Sequence, residues 1–569
     1  MHAVISSAQM RDIDRLTAER SGIPLLVLME NAAMATARCV SDFCNGDVAG
    51  KSVLVLCGKG NNGGDGAAAA RLLATAGARV DVVLIGKVDD TKGEARENFN
   101  RLRAWKDEQT VREQRLAAVA EAGLINLFEC NSENGWEQLL ASVLTAPHDV
   151  TIDGVFGTGL TRPLEGLHRK VVRYVNQSRE MRDLPPHRSA SIISIDVPSG
   201  LDADAEEPIG EAVTADATVT MTAPKRANVL PPASDHTGKL IVADIGSPPD
   251  LIADSQSQLF LTEEGDARRW LIQTRYTPGS HKNTHGHALI VAGSRGFTGA
   301  AALCGNAAMR AGAGLVTVAT PVSAQPVVAT QVMPEVMTTA LAETDRGVVS
   351  DEALAYVLKF AKKVGVIAIG PGLSSEDDRT RAFVRGLVEK RDNSIVIDAD
   401  GLNCMSPWPE DVRGSVRNPI VLTPHPGEML RLLGATDKSV LRDRVSCARD
   451  FATAHNVVLV LKGARTIIAA PDGRVAINSS GNAGLGTAGS GDTLTGVITG
   501  FLAQALGTVK DIDAFTTVVA AVYVSGLAGD LAAQALGMRA MVASDIRDHL
   551  SGAFQLLDPT GERPPCDNI

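Results

Sequence analysis

Short runs of β-branched residues and leucine, each followed by a glycine-rich turn or an alanine-rich stretch, recur along most of the 569-residue chain. In the first half they are SVLVLC (52–57), VDVVLI (80–85), DVTID (149–153), SIISID (191–196), ATVTMT (217–222) and LIVADI (240–245). Helical Ala/Leu-rich stretches such as 66–76 and 164–178 separate several of them. Runs that stay apolar instead of alternating are buried on both faces, and strands joined through helices pair in parallel. The pattern predicts an α/β chain with doubly wound sheets.

A second series runs through HALIVAG (287–293), LVTVAT (315–320), VIAIG (366–370), SIVIDAD (394–400), IVLTP (420–424), VVLVLKG (457–463) and TIIAA (466–470), and closes in helical segments near 492–506 and 512–535. Between the series, GSPPDLIADSQSQ (246–258) breaks the strand pattern with two prolines and polar residues, which places a linker around 247–262. The chain exceeds the ~100–200 residues of an ordinary domain. Two domains are expected, 1–250 and 263–557. The polar, Pro-rich tail after Leu557 is expected to fray.

Lys+Arg number 55 against 66 Asp+Glu, a net charge of −11, which argues against nucleic-acid or anionic-membrane partners because phosphate surfaces demand a basic face. The N-terminus MHAVISSAQMRDIDRL lacks the apolar core of a signal peptide, and no uninterrupted apolar run reaches the ~18 residues of a membrane span. Eight cysteines include no CxxC pair, so neither a zinc ribbon nor a disulfide scaffold is indicated. A cytoplasmic protein with small-molecule partners is expected.

In the first half, strand 52–57 runs into GKGNNGGDG (58–66) and an Ala-rich helix, an arrangement that gathers free N–H groups at a helix N-terminus and suits an anion. Plain turn chemistry would not need Asn61, Asn62 and Asp65 among the glycines. DGVFGTGLTRPLEG (153–166) and SIDVPSGLD (194–202) follow two further strands. Ligands of open α/β sheets bind beyond the strands' carboxyl ends, so these loops should converge. Asn62, Asp153, Asp196 and Ser199 are oxygen donors suited to a hard cation and not to zinc, although each aspartate alone also reads as a helix cap. Lys225 reads equally as a ligand contact or as an exposed lysine.

In the second half, NAGLGTAGSGDTLTG (482–496) sets Gly489, Ser490, Gly491 and Asp492 at the start of an apolar helix. Free N–H groups and the helix dipole would stabilise a transferred phosphoryl group while Asp492 accepts a hydroxyl proton. KGART (462–466) suits a nucleotide phosphate, and TPHPGEM (423–429) presents His425 from a fixed loop, where a structural role is the simpler reading. Asp398, Asp400 and Asn403 in DADGLN (398–403) order the site, help hold a metal, or simply cap a helix.

LLVLMENAA (25–33), GNNGGDG (60–66), DGVFGTGLTRPLEG (153–166), IDVPSGLDAD (195–204) and TAPKRANVLPP (222–232) together resemble the NAD(P)H-hydrate epimerase domain over nearly all of 1–246. The resemblance implies a Rossmann-like sheet and epimerisation of hydrated nicotinamide at C6. It implies that Asn61, Asn62, Gly63, Gly64 and Asp65 hold the dinucleotide, that Asn62, Asp153 and Ser199 bind K⁺, and that Gly157, Thr158, Gly159, Leu160, Thr161, Arg162 and Pro163, with Asp196, contact the hydrate. Either Asp196 or Asp153 assists the change at C6.

GSRGFTGAAALCGNAAMRAGAGLVTVA (293–319), GPGLSSEDD (370–378), TPHPGE (423–428), KGART (462–466) and AGSGDTLTG (488–496) are similar to the ADP/ATP-dependent NAD(P)H-hydrate dehydratase, of ribokinase-like α/β/α fold, over about 270–556. The resemblance implies that Lys462, Gly463, Ala464, Arg465, Thr466 and Gly491 meet the adenine nucleotide, and that Ala301, Gly372, His425 and Asp492 meet the hydrate, with Asp492 catalytic. Ser374 in GLSS and Ser490 in GSGD depart from the usual family residues. The partners so implied are NAD(P)H hydrate and ADP, with Mg²⁺ accompanying the nucleotide, in a homo-oligomer. The same motifs also fit another class, a ribokinase-like small-molecule kinase fused to a dinucleotide-binding module.

Overall fold

The computed structural model describes residues 1–115, 124–145, 148–180, 190–509 and 513–558; the tail 559–569, with Cys566, lies outside the described residues. Two compact units divide between Ser257 and Gln258.

The strands of the first unit, in chain order, are β1 (Ser52–Cys57), β2 (Arg79–Ile85), β3 (Ile125–Cys130), β4 (Val150–Gly154), β5 (Ser191–Ile195), β6 (Ala217–Met221) and β7 (Lys239–Ala243). They form one sheet in the order β3-β2-β1-β4-β5-β6-β7, with every pairing parallel. The period of two explains the unbroken apolar run of β1. Val53, Val55 and Cys57 enter the core on one face, Leu54 and Leu56 the core on the other, and none of the five is exposed. β3 is not evident from the sequence, because it lies at the sheet edge and its apolar run is interrupted by Asn126 and Glu129.

Chain order reverses direction between β1 and β4, the crevice where such sheets take ligands. Their register, Leu56 opposite Asp153 and Cys57 opposite Gly154, brings both carboxyl ends to one level. The helix after β1 spans Asn61–Thr75 and begins five residues earlier than the sequence predicts, so Asn62 and Gly63 lie in its first turn. Glycine's poor helix propensity hid this start. Close approach requires it: a Cβ on Gly63 would stand 1.9 Å from the Gly58 carbonyl oxygen.

In the second unit the strands are β8 (Leu259–Leu261), β9 (His287–Val291), β10 (Leu315–Pro321), β11 (Met337–Leu341), β12 (Val366–Ile369), β13 (Ser394–Ile397), β14 (Ile420–Leu422), β15 (Val458–Leu461), β16 (Ile467–Ala469) and β17 (Val475–Ile477). Their order is β8-β17-β16-β15-β14-β13-β12-β9-β10-β11, parallel except where β16 pairs antiparallel with β15 and β17. Direction reverses between β9 and β12. The expected linker 247–262 is not irregular throughout: it contains the helix Pro249–Asp254 and β8, which joins this sheet beside β17. β8 and β17 are three-residue strands outside the longer apolar runs, and β11 is a polar edge strand, so none of the three stands out in the sequence.

The sheet packs against helices Thr298–Arg310, Ser490–Thr508 and Ala514–Leu536 through Ala288, Ile290, Val366, Val396, Val497, Phe501 and Ala528. The last of these helices is long and apolar enough to cross a membrane, yet 67% of its most apolar window is buried inside the unit. It is a core helix.

Candidate active sites

At the β1/β4 crevice, the Asn62 amide Nδ2 donates to the Phe156 carbonyl at 2.9 Å. Ser199 Oγ accepts from the Phe156 N–H at 2.8 Å and donates to the same carbonyl at 3.2 Å. Asp153 ends β4 with no solvent exposure. Its Oδ2 accepts from Ser194 Oγ at 2.9 Å and from the Ser199 N–H at 2.8 Å, and Oδ1 from the Val155 N–H at 3.4 Å. Burial raises this carboxyl's pKa against the pull of the Ser199 and Ser194 donors. Asn62, Asp153 and Ser199 therefore meet, as the sequence predicts. The carbonyl of Phe156, which sequence could not single out, completes the oxygen set.

A buried carboxylate whose named partners are all neutral favours a compensating cation, and a carboxylate, amide, hydroxyl and carbonyl suit a hard one such as K⁺. Gly157 keeps the neighbouring space open: a Cβ there would lie 3.1 Å from Asn62 Oδ1 and 3.5 Å from Asp196 Oδ2. Among the described residues no group of three or more His, Cys, Asp or Glu side chains could hold a metal ion, so this oxygen set differs in kind from a transition-metal site.

Asp196 follows β5 with φ +65°, a left-handed conformation uncommon outside glycine and asparagine. Its Oδ1 accepts from Lys225 Nζ at 2.5 Å and Thr220 Oγ1 at 3.1 Å. Lys225 is fully buried and donates also to the Met221 carbonyl at 3.0 Å, so the exposed-lysine reading is wrong. An apolar composition around 217–223 does not announce a buried ammonium; the aspartate that holds it lies 29 residues away. Asp65 is buried in the first turn region of its helix, and burial, with Asp196 and Asp14 beside it, raises its pKa well above the carboxylate range. Thr158 is half-buried, Gly159, Thr161, Arg162 and Pro163 are exposed, and Asn61 is exposed at the helix start. Leu160 instead packs into the apolar cluster with Val155 and Leu164, anchoring the loop.

In the second unit the helix Ser490–Thr508 starts from Gly489 at φ +82°. Ser490 Oγ is turned back onto the Leu485 and Thr487 carbonyls at 2.7 and 2.9 Å. Burial pushes the Asp492 carboxyl up to about 6, with Asp398 adding to the rise and Lys462 opposing it. A Cβ on Gly491 would stand 3.4 Å from Lys462 Nζ and 3.9 Å from Asp398 Oδ2. One helix start, the Asp492 and Asp398 carboxyls and the Lys462 ammonium thus share a small space.

Lys462 directly follows β15 and is held, not free: Nζ donates to Asp398 Oδ1 at 2.7 Å and lies 3.9 Å from Glu428. Burial works against its charge, but Asp398 and Glu428 outweigh that and raise its pKa. Asp398 is 1% exposed and also accepts from Thr423 and Thr495 Oγ1, both at 2.8 Å. Gly463, Ala464 and Arg465 form the exposed bend of the KGART loop, where the Arg465 guanidinium donates to the Ser479 carbonyl and Thr466 Oγ1 to the Gly463 carbonyl.

His425 caps the helix Pro426–Leu432, its Nδ1 accepting from the Gly427 N–H at 2.9 Å, while the ring is half exposed. Asp400 accepts from the Ser374 N–H at 2.9 Å and from Asn403, so it fixes the GLSS turn. At the β9/β12 crevice, Ser294 Oγ donates to the Gly372 carbonyl at 2.7 Å. Ala301 is wholly buried beneath this loop.

The family described as NAD(P)H-hydrate dehydratase matches residues 288–551, and that described as YjeF-related protein N-terminus matches 25–227. The bifunctional NAD(P)H-hydrate repair enzyme Nnr of Moorella thermoacetica is 38% identical over 557 residues, covering 98% of this chain and 97% of that one. The enzyme of the same name from Escherichia coli is 31% identical, covering 96% and 92%. A crystal structure of ADP/ATP-dependent NAD(P)H-hydrate dehydratase from Bacillus subtilis, co-crystallised with ATP/Mg²⁺, aligns with 30% identity and a TM-score of 0.44 over 52% of this chain and 98% of that one. With both family matches in one chain and full-length relatives above 30% identity, this protein belongs to the bifunctional NAD(P)H-hydrate repair enzyme family.

Proposed function

We propose that residues 1–250 interconvert the R and S epimers of NAD(P)H hydrate at C6, and that 263–557 dehydrate the S form to NAD(P)H while ADP becomes AMP and phosphate. The observation that carries this is the presence of both family matches in one chain, each over a sheet whose crevice gathers the residues singled out from sequence. The two reactions need each other: a dehydratase confined to S leaves R to accumulate. The free state of the seven described cysteines supports placing the work in the cytoplasm.

In the first unit the free N–H groups at the start of Asn61–Thr75 bind the dinucleotide's phosphates. K⁺ would be held by Asn62, Asp153 and Ser199, and when bound it supplies charge that offsets the buried Asp153. Because that carboxylate is filled by three protein donors, Asp196 is the better placed to act on the hydrate: its Oδ2 borders the space that Gly157 leaves open. Lys225 holds it in place.

In the second unit Asp492 takes the proton of the C6 hydroxyl, whose oxygen attacks the terminal phosphorus of ADP with AMP leaving. The ring nitrogen lone pair then expels phosphate, and loss of the C5 proton restores the double bond. Phosphorylation converts hydroxide, a poor leaving group, into a good one. The start of helix Ser490–Thr508 and Lys462 stabilise the charge in transfer. Mg²⁺ would be carried mainly by the nucleotide's own phosphates.

The test is to incubate the full chain with mixed NADHX epimers and ADP and follow NADH absorbance. Full recovery with inorganic phosphate released is expected. A stable phosphorylated product in place of NADH would make the second unit a kinase.

A further inference from the structure

One more carboxyl of the first unit lies within the influence of Lys225 and Asp196. Asp14 lies on the helix Ser7–Ser21, whose buried residues Met10, Ile13 and Thr17 mark the inward face. Ile13 shares an apolar cluster with Ile5, Ala223 and Leu251, and the Ile5 N–H donates to the Pro224 carbonyl at 3.0 Å. The helix is thereby laid against the segment that leads into Lys225. Asp14 Oδ1 is buried and has no hydrogen-bond partner.

The charged groups around Asp14 are Lys225 and Asp196, and Asp65 in turn is influenced by both Asp196 and Asp14. Asp14 and Asp196 thus share one ammonium, which Asp196 already holds at 2.5 Å, and Asp65 lies within the influence of both carboxyls. Burial pushes the Asp14 carboxyl up to about 6, Lys225 opposing and Asp196 reinforcing the rise. A buried carboxyl oxygen with nothing to bind is costly unless it carries a proton or meets a ligand.

Building on the epimerase reading, we propose that Asp14 is a further catalytic residue of the first unit, the acid that protonates the C6 hydroxyl as it leaves, with Asp196 the base for the water that returns. The C6–O bond breaks with its electron pair, the proton from Asp14 makes the departing group water, and the ring nitrogen lone pair forms a planar N1=C6 iminium. Water adds to the opposite face and gives its proton to Asp196. Solvent returns that proton to Asp14, so the cycle closes with one C6–O bond broken and one formed and no net redox change.

The test uses the full-length chain and purified S hydrate with ADP left out, so that only epimerisation proceeds, and follows the R form by chromatography. An acid must hold its proton, so the wild-type rate falls as pH rises through about 6. Asp14→Asn is expected to lower kcat by ~10²–10⁴ with KM little changed and to remove that limb, while Asp14→Glu restores much of the rate with the limb displaced. An Asp14→Asn enzyme with the wild-type rate and pH profile overturns the assignment. So does a variant that loses activity together with its thermal transition and is not rescued by glutamate, because that is a structural role. A wild-type chain that fails to interconvert the epimers overturns the epimerase reading itself, and this inference with it.

Discussion

Neutralising Asp398 should change the second unit in two measurable ways. The side chain is 1% exposed, pairs with Lys462 at 2.7 Å and accepts from two threonine hydroxyls. Removing one partner of a fully buried ion pair costs about 3–5 kcal/mol, and the Lys462 left behind is itself 20% exposed. An asparagine side chain in its place keeps the shape and one acceptor for the threonines, and Glu428 remains 3.9 Å from Lys462, so the loss belongs at the lower end. At roughly 2 °C per kcal/mol for a unit of this size, Asp398→Asn should lower its Tm by about 6 °C. The unit's own transition is the one that moves upward when adenine nucleotide is added.

The second effect is catalytic. Asp398 raises the Asp492 pKa and Lys462 lowers it. With Asp398 replaced by a neutral group, the first influence disappears and Lys462 acts on Asp492 undiminished. Both changes favour the carboxylate. The acid limb of dehydratase kcat/KM, expected near pH 6 in the wild type, should therefore move to lower pH in the variant. Identical limbs with an unchanged Tm would refute the claim that this buried pair tunes Asp492.

Asp492→Asn should reduce dehydration by ~10²–10⁴ and leave epimerisation intact, since the general base belongs to one unit only; parallel loss of both activities in a folded variant would contradict two separate sites. Asp153→Ala should abolish any K⁺ stimulation of epimerisation, measured by exchanging KCl for choline chloride, while adenine nucleotide binding persists. Asp196→Ala given both epimers and ample ADP should recover NADH in two phases, S quickly and R only as fast as it converts unaided. A single fast phase from a normally stable variant would remove Asp196 from the reaction.

What sequence reveals here depends on whether a feature is local. The run of β1 is apolar because both its faces are covered, so it is readable in the sequence, as are the loops that follow β1 and β4. β3 was not, since Asn126 and Glu129 at an exposed edge break its pattern. Asn62, Asp153 and Ser199 could be grouped because strand ends of a parallel sheet must converge. The state of Lys225 and Lys462 could not, because each is decided by a partner 29 or 64 residues away. Asp14 left a readable trace: it falls four residues after Met10 on the apolar face of its helix, where a carboxylate is out of place.

Helix Ala514–Leu536 has a further consequence for biosynthesis. Every strand of the second sheet, from Leu259 to Ile477, precedes it in the chain, so on a ribosome its apolar partners are synthesised before it emerges. Trp270 and Ser480, which donate to Thr517 and to the Tyr523 carbonyl, are already made when this segment appears. A stretch that membrane-insertion machinery could recognise by its hydropathy thus meets its own protein interior first. Moving the same 23 residues ahead of Leu259 would reverse that order and expose them to insertion and aggregation before any sheet existed to cover them.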